Sequence, residues 1–278
     1  GYILRARYQE GWTASWKGTK KYATLREDAA VHARLIVIDA VHVEDGTFVL
    51  LKKIDKTVHT FEVDIANWVS AEPQRSDPEN HCVPIREVLQ SPQDPKIQSI
   101  VMPLLQRYDK PRFDSIGEAV TFFRQIFEVT FMHKHNVAHR DCTRFNIMMD
   151  GSPLYSTPIH PVKPKMKRDF SGQASNRSRT QCPVKYYLTD FGISFQYKPE
   201  DFRATRYVEP PDCDPFPTDV YYIGNLIRQN FIRGSYLASR KRGFEFMESL
   251  VADMVNRDPS ACPAMEQVVD RLRRWSGG

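Results

Sequence analysis

No stretch of this sequence approaches the roughly 18 consecutive apolar residues that a membrane-spanning helix needs, so no membrane partner is expected. Cysteine is sparse, and the five present (Cys82, Cys142, Cys182, Cys213 and Cys262) are scattered and odd in number. That excludes a disulfide-stapled fold and points to reduced thiols in an intracellular protein, cytoplasmic or nuclear. The opening GYILRARYQEGW is too polar and charged for a secretory signal, and no internal repeat is visible. A strong charge of one sign is missing too: 39 Lys and Arg face 34 Asp and Glu. The excess is local. Residues 151–185 carry seven Lys or Arg against the single acid Asp169, and the rest of the chain is about neutral. A uniformly basic surface for specific nucleic-acid binding is therefore not indicated.

What is present is a core-forming composition, 41% apolar over 278 residues, enough for one large domain or two small ones. The first hundred residues read as β-rich. ARLIVIDAVHV (33–43) and TFVLLKKI (47–54) flank a Glu44-Asp45-Gly46 turn, a hairpin signature. FEVDIANWVSAE (61–72) has helical spacing, with Phe61, Ile65, Trp68 and Val69 on one face, and Pro73 ends it. IQSIVMPLL (97–105) reads as a buried strand ending at Pro103. Beyond about residue 115 the period turns helical: EAVTFFRQIFEVTFMHKH (118–135), with Val120, Phe123, Phe127, Thr130 and Phe131 on one face, then 217–231, 243–256 and 263–275. Strands first and helices afterwards predict an α+β fold of two lobes rather than alternating βαβ units. Residues 150–185 interrupt the pattern with a Pro-rich and then Ser/Arg-rich run, a loop long enough to be functional or disordered.

Phosphoryl transfer needs a cation for nucleotide phosphates, oxygen ligands for Mg²⁺, and a carboxylate to orient the acceptor hydroxyl. The chain offers these in order. His139-Arg140-Asp141, followed by Asn146, matches H-R-D-x-x-x-x-N, and Asp190-Phe191-Gly192 matches D-F-G after the strand YYLT. A fixed four-residue pattern arises about once in 160,000 positions at equal residue usage. Lys52 ends the strand FVLL. Leu50 and Lys52 share a face, as the alanine and lysine of V-A-I-K do, which favours Lys52 over Lys53. Glu62 on the following helix is the ion-pair candidate; its competitor, Glu72, sits at a helix end before Pro73.

With these residues the chain resembles eukaryotic protein-kinase-like domains over roughly residues 22–275. The phrases NHCVP, KYYLTDFGIS and CDPFPTDVYYIGNLIR resemble the kinase-like proteins of mushroom-forming fungi. The resemblance implies a single kinase-like domain over 1–278, with a small lobe to about 102, a hinge at 103–105 and a large lobe carrying the 151–185 insert. It implies ATP and Mg²⁺ as cofactors. Asp141 is then the catalytic base, flanked in the loop by Arg140 and Thr143. Lys52 and Glu62 form the phosphate-holding pair, and Asn146 and Asp190 the metal ligands. Val37, Leu50, Met102, Leu104 and Met148 line the nucleotide pocket. Asp219 braces the catalytic loop, and Cys142 reads as buried filler with no base beside it.

The pattern also departs from that family. Counting back from Lys52, the phosphate-loop slot falls on AAVHAR (29–34), which has no glycine to let backbone N–H groups approach phosphates. Leu50 replaces a small alanine, and Thr143 stands where serine/threonine kinases usually carry lysine. The activation segment is short, from Asp190 to Glu209, and Cys262 in DPSACP replaces an arginine. Three readings follow: a slow ATP- and Mg²⁺-dependent protein kinase, serine/threonine by default; a pseudokinase that binds partners without turnover; and a small-molecule kinase of the aminoglycoside-phosphotransferase type. The third is opposed by the arginine in HRD, the intact D-F-G and the helix beginning PTDVYYIG. A protein substrate is expected, with the basic insert docking an acidic region of it.

Overall fold

The computed structural model describes residues 1–20, 22–32, 35–198, 215–233 and 243–276. Glu209 and Cys213 lie outside them. The hairpin is where the sequence places it. β1 (Tyr2–Leu4) pairs with β2 (Val37–His42), and β2 pairs with β3 (Phe48–Asp55), all antiparallel. Gly46, at φ +68°, takes the left-handed turn that side chains resist. α1 (Glu62–Ser70) follows, with Glu62 and Asp64 in its first turn, complementing the helix dipole. Its buried face is Glu62, Val63, Ile65, Ala66 and Val69. Phe61 lies outside that face and is 46% exposed, against expectation. Asn80 Nδ2 satisfies the Val69 carbonyl at the helix end at 2.9 Å. β4 (Glu87–Gln90) and β5 (Ile97–Pro103) complete an antiparallel sheet in the order β1-β2-β3-β5-β4.

β6 (Gln106–Arg107) leads into the helical lobe. α2 (Ile116–Ile126) is opened by Ser115, whose hydroxyl accepts from the Glu118 amide at 3.1 Å. The predicted single helix over 118–135 is broken. A 3₁₀ turn at Phe127–Val129 separates α2 from α3 (Thr130–Lys134). Thr130 Oγ1 donates to the Phe127 carbonyl, a side-chain bond that competes with the regular ladder. The buried face of α2 runs through Ala119, Phe122, Phe123 and Ile126, with Val120 only half-buried. β7 (Val137–Ala138), β8 (Ile147–Met149), β9 (Tyr186–Leu188) and β10 (Phe195–Gln196) are short ribbons. β8 pairs with both β6 and β9, and β7 with β10. α4 (Pro215–Ile227) continues into a π turn at Arg228–Ile232, and α5 (Glu248–Met254) and α6 (Met265–Ser276) follow. No helix among the described residues is long and apolar enough to cross a membrane.

One apolar cluster joins the two lobes. It runs from Ile54, Ile100 and Met102 under the sheet, through Val63, Ile65 and Val69 of α1, to an aromatic centre in the large lobe. There Tyr108 stacks on Phe122 at 4.7 Å, and Phe123, Phe231 and Phe244 meet edge to face. The opposite face of the sheet carries a small second cluster of Ala40, Val49 and Val101.

Two features go beyond the sequence reading. The slot at 29–34 belongs to a long connection between strands. The β1–β2 connection comprises residues 5–36 and includes three 3₁₀ turns. The segment 151–185 is folded. Antiparallel bridges join Tyr155 to Asn176, Ile159 to Lys167 and Met166 to Gln173. At its exit, Arg179 is buried and donates to the carbonyls of Tyr108, Pro111 and Arg112 at 2.9, 2.7 and 3.1 Å.

Candidate active site in the cleft between the lobes

In an antiparallel sheet, residues directly opposite each other share a face. Val37 lies opposite Lys52, and Leu50 lies opposite both Asp39 and Met102. All of these side chains therefore occupy the face turned toward the large lobe. Lys53 alternates to the other face and is exposed. Lys52, 6% exposed, donates to Glu62 and, at 2.7 Å, to Asp190 Oδ1. Glu62 is fully buried, and its second oxygen has no partner among the described residues. Glu72, past the end of α1, is exposed. Of the two glutamates, Glu62 is the one in contact with Lys52.

The second half of the site is the loop between β7 and β8. Asn146 Nδ2 donates to Asp141 Oδ2 at 2.6 Å and to the Asp141 carbonyl at 3.1 Å. The carbonyl of Asn146 accepts from the Thr189 amide at 2.8 Å, and Thr189 precedes Asp190. One backbone bond thus ties Asp141 and Asn146 to Asp190, which Lys52 holds from above. Asp190 and Arg140 both have positive φ, 70° and 67°, a strained conformation that surrounding contacts must enforce. Gly192 is required here. A Cβ on it would meet His59 Nδ1 at 2.9 Å, and the His59 ring bonds to the Gly192 carbonyl at 3.0 Å.

Asp219, fully buried at the start of α4, does the enforcing. Its oxygens accept from the amides of His139 and Arg140 at 2.8 and 2.7 Å and from His133 Nε2 at 3.0 Å. His139 Nδ1 accepts from the Asp141 amide at 3.3 Å, so its proton sits on Nε2 and is donated to the Thr189 carbonyl at 3.1 Å. Cys142 is buried against Asp219, and burial pushes its thiol well above the ordinary range, as suits a filler rather than a nucleophile. Arg140 points its guanidinium to the Ile193 carbonyl at 3.4 Å. Thr143 lies in the same loop, half-buried, its carbonyl accepting from the Asn146 amide at 3.0 Å. The expected pocket-lining residues divide between roof and floor. Val37, Leu50 and Met102 are on the sheet, Met148 is on β8, and Leu104 follows β5 with its amide bonded to the Phe48 carbonyl at 3.1 Å.

The donor set suits Mg²⁺. Asp190 brings a carboxylate. Asn146 spends its amide nitrogen on Asp141, which leaves its oxygen as the group able to ligate. Among the described residues no cluster of three or more His, Cys, Asp or Glu could hold a metal. Mg²⁺ commonly takes one or two carboxylates together with substrate phosphates rather than an all-protein cage.

Sequence reasoning missed a charged cluster on the same cleft face. Asp39, fully buried, accepts from Arg5 Nε at 2.9 Å, His32 Nε2 at 2.8 Å and Arg168 Nη2 at 2.8 Å. Burial alone would raise its pKa; the His32 hydrogen bond and the charges of Arg5 and Arg168 outweigh that and hold it below the ordinary value. The signal was present: an aspartate inside LIVIDAVHV cannot be buried without cationic partners.

No family model matches the chain. It is 24% identical over 189 residues to the serine/threonine-protein kinase CAK1 of Saccharomyces cerevisiae, a match covering 66% of this chain. The matched region spans about half, 48%, of that relative's length. Among solved structures it is similar to the Rad53 kinase domain determined with SCD2 and AMPPNP. The TM-score is 0.51 at 14% identity, over 87% of this chain and 88% of that one. The fold is the two-lobed, α+β protein-kinase-like fold.

Proposed function

We propose that the chain is an ATP- and Mg²⁺-dependent protein kinase, serine/threonine by default, forming a single kinase-like domain hinged at residues 103–105. The observation that carries this is the convergence of Lys52, Glu62 and Asp190 with Asp141 and Asn146 through the Asn146–Thr189 bond. Chance motif matches do not assemble in space. Lys52, positioned by Glu62, holds nucleotide phosphates. Asp141 orients the acceptor hydroxyl and takes its proton, and Asn146 and Asp190 supply the oxygens for Mg²⁺. When bound, Mg²⁺ neutralises charge that develops on the transferred phosphoryl group. Asp219 keeps the loop in its strained form, and Arg140 braces the loop against Ile193. Val37, Leu50, Met102, Leu104 and Met148 enclose the adenine. The likeness of NHCVP and KYYLTDFGIS to fungal kinase-like proteins agrees with this reading.

The substrate is a protein, and its docking element is acidic. Within the insert, Arg168, Arg177 and Arg179 are bonded to internal partners, so the exposed Lys163 and Lys165 carry the docking charge. A second reading, a pseudokinase, is favoured by the long β1–β2 connection where a glycine-rich phosphate loop is expected, and by Thr143. A peptide-array assay of wild type beside Asp141→Asn separates the two. Phosphate incorporation by wild type alone supports the kinase. Equal background from two well-folded proteins in saturating Mg-ATP establishes the pseudokinase.

A further inference from the structure

The insert is rooted in the large lobe at both ends, between β8 and β9, and leaves β8 on the floor of the cleft, beside β6 and the hinge. Its middle reaches the roof. Arg168 donates to Asp39 on β2 and lies over the ring of Phe48 on β3 at 4.6 Å. Both partners are on the cleft side of the sheet: Asp39 lies opposite Leu50, and Phe48 is two residues from Leu50 on the same strand. His160 reinforces the contact. It is fully buried, its Nδ1 accepts from the amides of Val162 and Lys163 at 3.2 and 3.1 Å, and its Nε2 lies 3.1 Å from Glu27 Oε1. Arg5 shares that carboxylate at 2.9 Å and carries the network back to Asp39. Through Arg5, Glu27 and Asp39 the β1–β2 region and the insert are thus tied together at the end of the cleft flanked by the hinge, where the base and sugar of a nucleotide would enter.

We propose that residues 151–185 are a strap closing the nucleoside end of the cleft, fastened by Arg168 and His160 to the Asp39 cluster, which gates nucleotide entry and exit. The inference rests on the kinase reading of the same cleft. A strap across a mouth slows passage in both directions, so its release raises association and dissociation rates together and changes the equilibrium affinity less. Arg168 is the fastening to cut, because its side chain is on the strap and only partly buried.

Stopped-flow binding of a fluorescent N-methylanthraniloyl ATP, with Mg²⁺, compares wild type with Arg168→Gln. A second variant replaces residues 157–174 by a short Gly-Ser turn. Tyr155 and Asn176 form an antiparallel bridge, so the strap is excised at a neck whose ends already meet. Hydrogen exchange of the amides over 155–176 reads, in Arg168→Gln, whether the strap has come loose. Both nucleotide rates are expected to rise about tenfold in each variant, the scale of one lost charged hydrogen bond, with faster amide exchange in Arg168→Gln. Faster exchange with unchanged nucleotide rates overturns the gate and leaves the kinase reading standing. Unchanged exchange in Arg168→Gln overturns the fastening. Absence of nucleotide binding in all three proteins overturns the kinase reading and the gate with it, while the exchange arm still reports the strap.

Discussion

At the scale of single residues, the site separates chemistry from support. Asp141 is half-buried, and its hydrogen bonds to the loop among the described residues run to Asn146 and, from its own amide, to His139. Asp141→Asn should therefore abolish turnover while leaving the thermal midpoint within about 2 °C of wild type, a shift expected of changes that leave no buried charge unpaired. Calorimetry beside the kinase assay checks both halves. Lys52 is different. Replacing it with Met removes the phosphate-holding cation and strands Glu62, fully buried, without a partner. Loss of activity in that variant would mix chemistry with stability. Thr143 keeps a hydroxyl but no charge where the transferred phosphate needs one. Losing such a contact typically costs about 10²- to 10³-fold in rate, so Thr143→Lys should raise autophosphorylation, and an unchanged rate would show that the loop does not present position 143 to the phosphate. Asp39 belongs to the supporting group: Asp39→Ala removes the carboxylate that Arg5, His32 and Arg168 share while Arg5 keeps Glu27, and denaturant unfolding should show a loss of about 1.5–3 kcal/mol, the scale of a lost hydrogen bond to a charged group.

At the scale of elements, the strap should respond to pH. His160 is held by Glu27 and faces Arg5 and, on its own segment, Arg168 and the Phe170 ring, with Asp39 and His32 beyond. Burial first, then the charges of Arg5 and Arg168, push its pKa below the ordinary 6.5, against the pull of Glu27. A base whose pKa falls on folding contributes stability that is full above the unfolded value and is lost as pH falls through the folded one. The strap should therefore loosen as pH drops below about 6.5. Amide exchange over 155–176, corrected for its intrinsic pH dependence, should quicken between pH 7.5 and 5.5, and His160→Asn should flatten the trend. This behaviour was not legible in the sequence. The hairpin, α1 and the two motifs were legible because each is a local pattern: alternation around Glu44-Asp45-Gly46, helical spacing from Glu62 to Ser70, fixed residues around Asp141 and Asp190. The strap is held by pairs 133 and 129 residues apart, Glu27 with His160 and Asp39 with Arg168, which no local period announces. The break at Phe127–Val129 was hidden for the opposite reason: its apolar spacing suits a continuous helix, and one threonine hydroxyl decides otherwise.

At the scale of the whole molecule, the two lobes meet along one apolar core and several polar contacts, among them Lys52 to Asp190, His59 to Gly192, Asp39 to Arg168, and the backbone bonds of His81 and Val83 to Leu188. The first of these sits where nucleotide and metal would act. Asp190 Oδ1 is held by Lys52, so bringing phosphates to Lys52 requires a counter-cation that takes up the negative charge of both Asp190 and the phosphates. Without a glycine-rich loop to lend backbone N–H groups, that cation becomes the principal anchor. ATP should therefore bind weakly and almost entirely through Mg²⁺. A ligand that binds only the folded state stabilises it by RT ln(1 + [L]/Kd), about 1.4 kcal/mol at ten times Kd. For a chain of 278 residues that amounts to a rise of roughly 3–6 °C in the unfolding midpoint. Millimolar ATP with Mg²⁺ should produce such a shift, and EDTA should remove most of it. A shift that EDTA leaves intact would mean that Lys52 and the β1–β2 connection hold the phosphates unaided. An absent shift in Mg-ATP, with the Asp39 cluster intact, would remove the nucleotide from this cleft.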